Sequence, residues 1–168
     1  MTIRVGILTI SDRSARGERA DLTGPAVSEE IRRQGWEVVR KAIIPDEKDQ
    51  ISEMLIDWCD EGKLDVILTN GGTGFGPRDV TPEATNAVID RPAPGLAEAM
   101  RTASMKVTTH AMLSRATAGL RGRVLIVNLP GSPKAAVENL GVIAGVLLHA
   151  VELLREDPHA EEGHRKVN

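Results

Sequence analysis

Residues 64–85 read LDVILTNGGTGFGPRDVTPEAT, and this stretch decides the fold. The apolar run Val66-Ile67-Leu68 stops at Asn70, and Gly71, Gly72, Gly74 and Gly76 follow, then Pro77-Arg78-Asp79. Thr81-Pro82 then opens a helix, proline being preorganised for a first helical turn. A strand that feeds a glycine-rich loop and a helix start is how α/β proteins hold phosphate. Backbone N–H groups and the helix dipole both face the anion. Glycine in regular structure costs about 0.5–1 kcal/mol relative to alanine, so a loop this rich in it needs a reason. Close approach of a ligand to the backbone is the expected one.

Outward from this loop, apolar runs and helical patterns alternate. Ile3–Ile10 reads as a buried strand and is followed by the polar loop SDRSARGERADLTG. Residues 25–34 form a helix with Thr23 or Gly24 near its cap, and residues 36–44 a second strand. Residues 49–60 are amphipathic, with Ile51, Leu55 and Trp58 at i, i+4, i+7. Residues 64–69 form the third strand, and a helix runs from Thr81 to about Ile89. After the break Arg91-Pro92-Ala93-Pro94-Gly95, residues 96–105 read as a helix and residues 113–118 as an edge strand. Residues 124–128 are a central strand, and Ser132-Pro133 caps a final helix ending near Leu154. The alternation predicts an α/β fold, a single three-layer αβα domain with a mostly parallel sheet and one edge strand antiparallel. The domain should span residues 1–155, with a polar C-terminal tail over residues 156–168 that frays.

Composition narrows the function. Among 168 residues Phe75 is the only phenylalanine, Trp36 and Trp58 are the only tryptophans, and tyrosine is absent. The core must be aliphatic, and single-stranded nucleic-acid platforms, which stack bases on aromatics, are disfavoured. A net charge of −3 gives no basic field for a nucleic-acid backbone. Cys59 stands alone, which excludes a disulfide framework and places it in the core. No run approaches the ~18 apolar residues of a membrane span, and Val5–Ile10 is too short and too soon followed by Asp12-Arg13 for a secretory leader. A cytoplasmic protein is expected.

Three carboxylates follow three predicted strands: Asp12, Asp46 and Asp79. In an open α/β sheet the carboxyl ends of the strands share the edge where ligands bind. Acids there would repel a phosphate unless a cation stood between them, and Mg²⁺ is held typically by one or two carboxylates plus substrate phosphates. Each aspartate could instead merely cap a turn. A second phosphate-like element, Leu129-Pro130-Gly131-Ser132-Pro133-Lys134, follows the strand at 124–128. Ser132 alone would be an ordinary helix cap, but two such helix starts on one edge could hold two phosphate-bearing groups. Arg78 and Lys134 are the charge partners expected there, Arg13 and Arg16 weaker ones. A P-loop needs Lys-Ser/Thr after its last glycine, whereas Gly76 is followed by Pro77-Arg78. A dinucleotide fingerprint needs G-x-G-x-x-G after the first strand, and neither spacing nor position fits. His149 reads as packing or surface, and His110 lies near no predicted strand end. No nucleophile–base pair is visible, so catalysis would rest on positioning and metal electrostatics.

These residues closely resemble the molybdenum-cofactor biosynthesis family that includes the bacterial Mog and MoaB proteins and the G domain of gephyrin. The resemblance runs from RVGILTISDRSARGERAD through IIPDE and TNGGTGFGPRDVTPEAT to LPGSPKA. The long loop motif is highly specific. Its ending, PRDVTPEAT, is similar to the Mog branch, the molybdopterin adenylyltransferases, while MoaB-like members depart from it after the glycines.

The resemblance implies that molybdopterin and MgATP give adenylylated molybdopterin and pyrophosphate. It implies that Asp46 and Asp79 are the critical acidic pair, binding Mg²⁺ and orienting ATP. Gly71, Gly72, Thr73 and Gly74 would cradle nucleotide phosphates. Gly131 and Ser132 would help hold molybdopterin, with Ser11, Asp12 and Arg13 lining the same edge and Arg78 and Lys134 nearby. It also implies a homotrimer that passes its product to a molybdate-insertion protein. The alternative is a non-catalytic molybdopterin carrier of the MoaB type, against which the Arg78-Asp79 pair speaks. A gephyrin-like scaffold is the weakest reading, since no linker or partner motif is encoded.

Overall fold

The computed structural model describes residues 1–156; most of the expected tail, from residue 157, lies outside them. A six-stranded sheet runs in the order β2-β1-β3-β6-β5-β4. Its strands are β1 (Arg4–Ile10), β2 (Glu37–Ile44), β3 (Val66–Asn70), β4 (Arg91–Pro92), β5 (Ala118–Arg121) and β6 (Val124–Leu129). Strands β2, β1, β3 and β6 are mutually parallel, and β5 lies antiparallel to β6. The near-continuous apolar runs of β1, β3 and β6 are what a parallel strand buried on both faces requires.

Alternate side chains of those strands serve two cores. On one face Val5, Ile7, Val66, Leu68, Leu125 and Val127 pack with helices α2 (Thr23–Arg33), α5 (Pro94–Met105) and α6 (Pro133–Leu154). On the other, Leu8, Ile10, Ile67 and Ile126 pack with α3 (Lys48–Asp60) and α4 (Thr81–Val88). The stripe Ile51, Leu55, Trp58 is buried as its spacing predicts. Cys59 belongs to this second core, where burial pushes its thiol pKa up to about 12. It is inert packing.

Three expectations are corrected. The edge strand expected at 113–118 is displaced: Thr109–Leu113 is a 3-10 turn, residues 114–117 are an extended link, and pairing begins at Ala118. The apolar Met112 and Leu113 that suggested a strand are exposed. The supposed break at Arg91-Pro92 is a two-residue strand that covers β5, proline being tolerated because no strand among the described residues pairs beyond it. Finally, α6, with 22 residues and a hydropathy of 1.6, is long and apolar enough to cross a membrane by length and composition. In this fold Leu140, Ile143, Leu147 and Val151 turn its buried stripe onto the sheet.

At the end of the sheet opposite the glycine loop, Asp65 accepts hydrogen bonds from the peptide N–H, Nε and Nη2 of Arg4 at 2.8–3.1 Å. Nε of Arg155 donates to the same carboxylate at 2.9 Å. Burial alone would raise the Asp65 pKa, but these arginine bonds outweigh it and hold the carboxyl below its ordinary value. The clamp ties both ends of the described chain to β3.

Candidate functional site

Parallel β1, β2 and β3 deliver their aspartates to one edge, as expected. Asp12 opens the four-residue helix α1 (Asp12–Ala15), which sequence reading left as loop; Ser11 caps it by accepting the Ser14 N–H at 3.2 Å. Asp12 and Asp46 exchange bonds: the Asp12 N–H donates to Asp46 Oδ2 at 2.7 Å, and the Asp46 N–H donates to Asp12 Oδ1 at 3.1 Å. Burial, together with the negative charges of Asp12 and Asp79, raises the Asp46 pKa above its ordinary value, although the Asp12 N–H pulls the other way. Arg78 holds Asp12 with two bonds of 3.0 and 3.1 Å and also reaches Glu47 at 2.6 Å. That guanidinium lowers the Asp12 pKa. Arg78 acts on Asp46 too, but there burial outweighs it.

The glycines have reasons inside the protein itself. Gly71 and Gly72 adopt φ of +99° and +64°, where other residues are strained. A Cβ on Gly71 would lie 2.3 Å from the Ile10 carbonyl oxygen, and one on Gly72 2.3 Å from Thr81 Oγ1. Gly74 and Gly76 leave room for the Asp79 carboxylate, which accepts the Gly76 N–H at 2.8 Å. Ligand approach is therefore not needed to explain the glycines, but the loop still offers donors. Among the described residues no partner engages the N–H groups of Gly72, Thr73 and Gly74.

The second turn packs directly on the first, since a Cβ on Gly131 would meet Gly71 Cα at 3.4 Å. Ser132 caps α6 by accepting the Ala135 N–H at 3.3 Å, and Thr23 Oγ1 donates to the Gly131 carbonyl at 2.6 Å. Thr23 is positioned in turn by Asp21, whose Oδ1 accepts the Thr23 and Gly24 N–H groups and whose Oδ2 accepts Thr9 Oγ1. The N-cap of α2 is Leu22, next to Thr23 as expected, and the Asp21 carboxylate supplies the acceptor for the first N–H groups.

These two turns form a wall between two clefts. A polar cavity of about 330 Å³ includes Ser11, Ser14, Asp21, Thr23, Gly71 and Ser132 in its lining. A predominantly apolar one of about 280 Å³ lies on the other side, lined by Thr73, Gly74, Met100, Arg101, Ser104 and His110 among others. Of the expected site residues, Asp12, Asp46, Asp79, Arg78 and the two turns come together. Arg13 is exposed on α1, and Lys134 is exposed and pairs with Glu138 at 3.8 Å; neither lines either cleft. Sequence reading missed the apolar cleft entirely, including His110, which it set aside. It also missed Arg115, which reaches the glycine loop across 41 residues of sequence. The one available signal was the polar run Ser114-Arg115 inside a segment otherwise read as a strand.

Comparison with known proteins places this geometry. Residues 6–149 match the family model for molybdenum-cofactor biosynthesis, described as "Probable molybdopterin binding domain". The chain belongs to this family. It is 41% identical over 155 residues to the molybdopterin adenylyltransferase of Helicobacter pylori J99, covering 91% of this chain and 88% of that protein. It is also 41% identical over 173 residues to gephyrin of Dictyostelium discoideum, where it spans 96% of its own length but only 24% of that longer protein. The crystal structure of the molybdopterin biosynthesis enzyme MoaB from Thermus thermophilus superposes with a TM-score of 0.88 at 51% identity. That match covers 94% of this chain and 99% of the MoaB chain.

Proposed function

We propose that this chain is a molybdopterin adenylyltransferase. A terminal phosphate oxygen of molybdopterin attacks the α-phosphorus of ATP, the bond to the β-phosphate breaks, and pyrophosphate leaves with its electron pair. The observation that carries this reading is the wall of two phosphate-type turns between two clefts, beside an under-neutralised carboxylate edge. The flat pterin fits the predominantly apolar cleft, with Ser104, His110 and Ser114 at hand for its polar edge. Its phosphate then reaches the free N–H groups of Thr73 and Gly74. The nucleotide takes the polar side, where Ser11, Thr23 and Ser132 open. This moves Ser132 from a molybdopterin contact to a nucleotide contact. No covalent enzyme intermediate is required, so the protein contributes position and charge.

Asp46 and Asp79 would hold Mg²⁺. Burial, and with it the like charges of Asp12 and Asp79, raises the Asp46 pKa, and a cation would relieve the like-charge part. Among the described residues no group of three or more His, Cys, Asp or Glu forms a preformed cage, which suits a hard ion that takes only one or two carboxylates and fills its shell with phosphate and water. Bound there, the ion would neutralise charge on the ATP phosphates and the departing pyrophosphate. Arg78 is pinned between Asp12 and Glu47, and through Asp12 it holds Asp46 in place.

A homotrimer in the cytoplasm, passing its product to a molybdate-insertion protein, completes the reading. Its support is the family resemblance and a second apolar face on α6, where Val142, Val146 and Leu153 are exposed. Light scattering of the purified chain gives the oligomeric state directly.

The deciding assay incubates the chain with molybdopterin and MgATP and follows pyrophosphate and adenylylated pterin. Product that disappears when Mg²⁺ is withheld supports the enzyme. Tight molybdopterin binding without product supports the carrier.

A further inference from the structure

We infer that Arg115 is a positioning residue for the transfer, a clamp that fixes the glycine loop and Asp79 while itself lining neither cleft. The inference rests on the adenylyltransferase reading for its kinetic consequences, but the clamp itself is geometric. Arg115 Nε donates to the Gly74 carbonyl at 2.7 Å, and Nη2 donates to the Asp79 carbonyl at 2.6 Å. Its Nη1 pairs with Glu83 on α4, and its own N–H donates to the Thr73 carbonyl at 2.8 Å. One residue thus bonds both arms of the loop and the helix that follows it.

The loop needs such a clamp. Glycine has more backbone freedom to lose than any other residue, and Gly74 to Pro77 make no strand or helix of their own. A planar guanidinium with five donors can satisfy several carbonyls at once, where an ammonium is a point charge. The clamp is also anchored. Arg101 on α5 donates to the Ser114 carbonyl at 3.0 Å and the Ala116 carbonyl at 2.9 Å, on either side of Arg115. Arg101 and Ser114 line the apolar cleft. The link at 114–116 therefore touches the pterin's cleft with Ser114 and the loop that would take the pterin's phosphate with Arg115.

The test uses the full chain as wild type, Arg115→Ala, Arg115→Lys and Glu83→Gln. Arg115→Ala should lower kcat about 100-fold, the scale of a small misplacement of reacting groups, a larger change than its effect on KM for molybdopterin. Guanidinium ion should recover part of that loss, because the Arg115 side chain is 34% exposed and its site is open to solvent. Lysine should not substitute, and Glu83→Gln should stay near wild type, since both carbonyl bonds survive it. Hydrogen exchange of the loop peptide gives a readout independent of turnover. The N–H groups of Gly76, Asp79 and Thr81, each bonded within this segment, should exchange faster in Arg115→Ala. Wild-type exchange in that variant overturns the clamp. So does a kcat within about threefold of wild type, or a loss that guanidinium does not touch and that tracks a fallen Tm. If the wild-type chain yields no adenylylated product, the functional reading fails, and loop exchange still decides the clamp by itself.

Discussion

The two ends of the parallel sheet hold the same kind of residue in opposite electrostatic states. At the N-terminal end, the Asp65 carboxylate is only 4% exposed, yet two arginines hold its pKa below the ordinary value. At the C-terminal end, Asp46 is half-buried beside Asp12 and Asp79, and its pKa is raised. Local sequence tells only which end of a strand each occupies, Asp65 before β3 and Asp46 after β2, and not the charge around it. The difference is the sign of what the fold brings near. Asp65 is over-compensated by residues of this chain and serves stability. Asp46 is raised by its own burial and by the like charges of Asp12 and Asp79, with Arg78 acting in the opposite direction.

The largest effect that would sharpen this contrast is on turnover. Asp79→Asn should lower adenylyl transfer by about 100-fold or more while leaving the circular dichroism spectrum and Tm near wild type. Unchanged turnover would break the assignment of Asp79 to the reacting edge. Next is stability at the other end. Asp65→Ala strands two arginines and should cost about 3–5 kcal/mol by urea titration, with kcat of the folded fraction retained. A loss below about 1 kcal/mol would mean the arginines are solvated well enough without it.

The pH dependence should split the same way. Asp65 has a lowered folded pKa, so its stabilisation is present above 3.8, the unfolded value, and is lost as pH falls through the lower folded one. Asp46 has a raised folded pKa, so the folded state binds the extra proton and stability falls as pH rises from 3.8 through the higher folded value. The smallest predicted effect follows from that sign. Asp46→Asn should slightly raise Tm at neutral pH without Mg²⁺, and should abolish any additional stabilisation by MgATP. A fall in Tm on this substitution would show that Asp46 is a structural acceptor for the Asp12 N–H before anything else.

Much of this was readable before folding. Strand and helix ends fell within a few residues of their expected positions because local signals mark them: apolar runs for β1, β3 and β6, proline at the starts of α4 and α6, and Ser132 as a cap. The Asp12, Asp46 and Asp79 edge was legible because parallel strands must end on one side. The displaced β5 was not, since Met112 and Leu113 carry strand-like apolarity without burial. Arg115, Arg101 and Ser104 were not legible either. Each acts through contacts with residues distant in sequence, from segments whose own pattern says only link or helix.

The sequence by itself determined the alternating α/β layers, the two glycine-containing turns that open α4 and α6, and the family to which the chain belongs. Periodicity, capping and glycine placement act over a few residues and need no fold to be read. Only the tertiary structure decided that the turns form a wall between two clefts, that glycines 74 and 76 make room for Asp79, and that burial and like charges raise the Asp46 pKa where two arginines lower that of Asp65. Those are sums over groups brought together by the sheet, and Coulomb and packing energies depend on distance in space rather than along the chain.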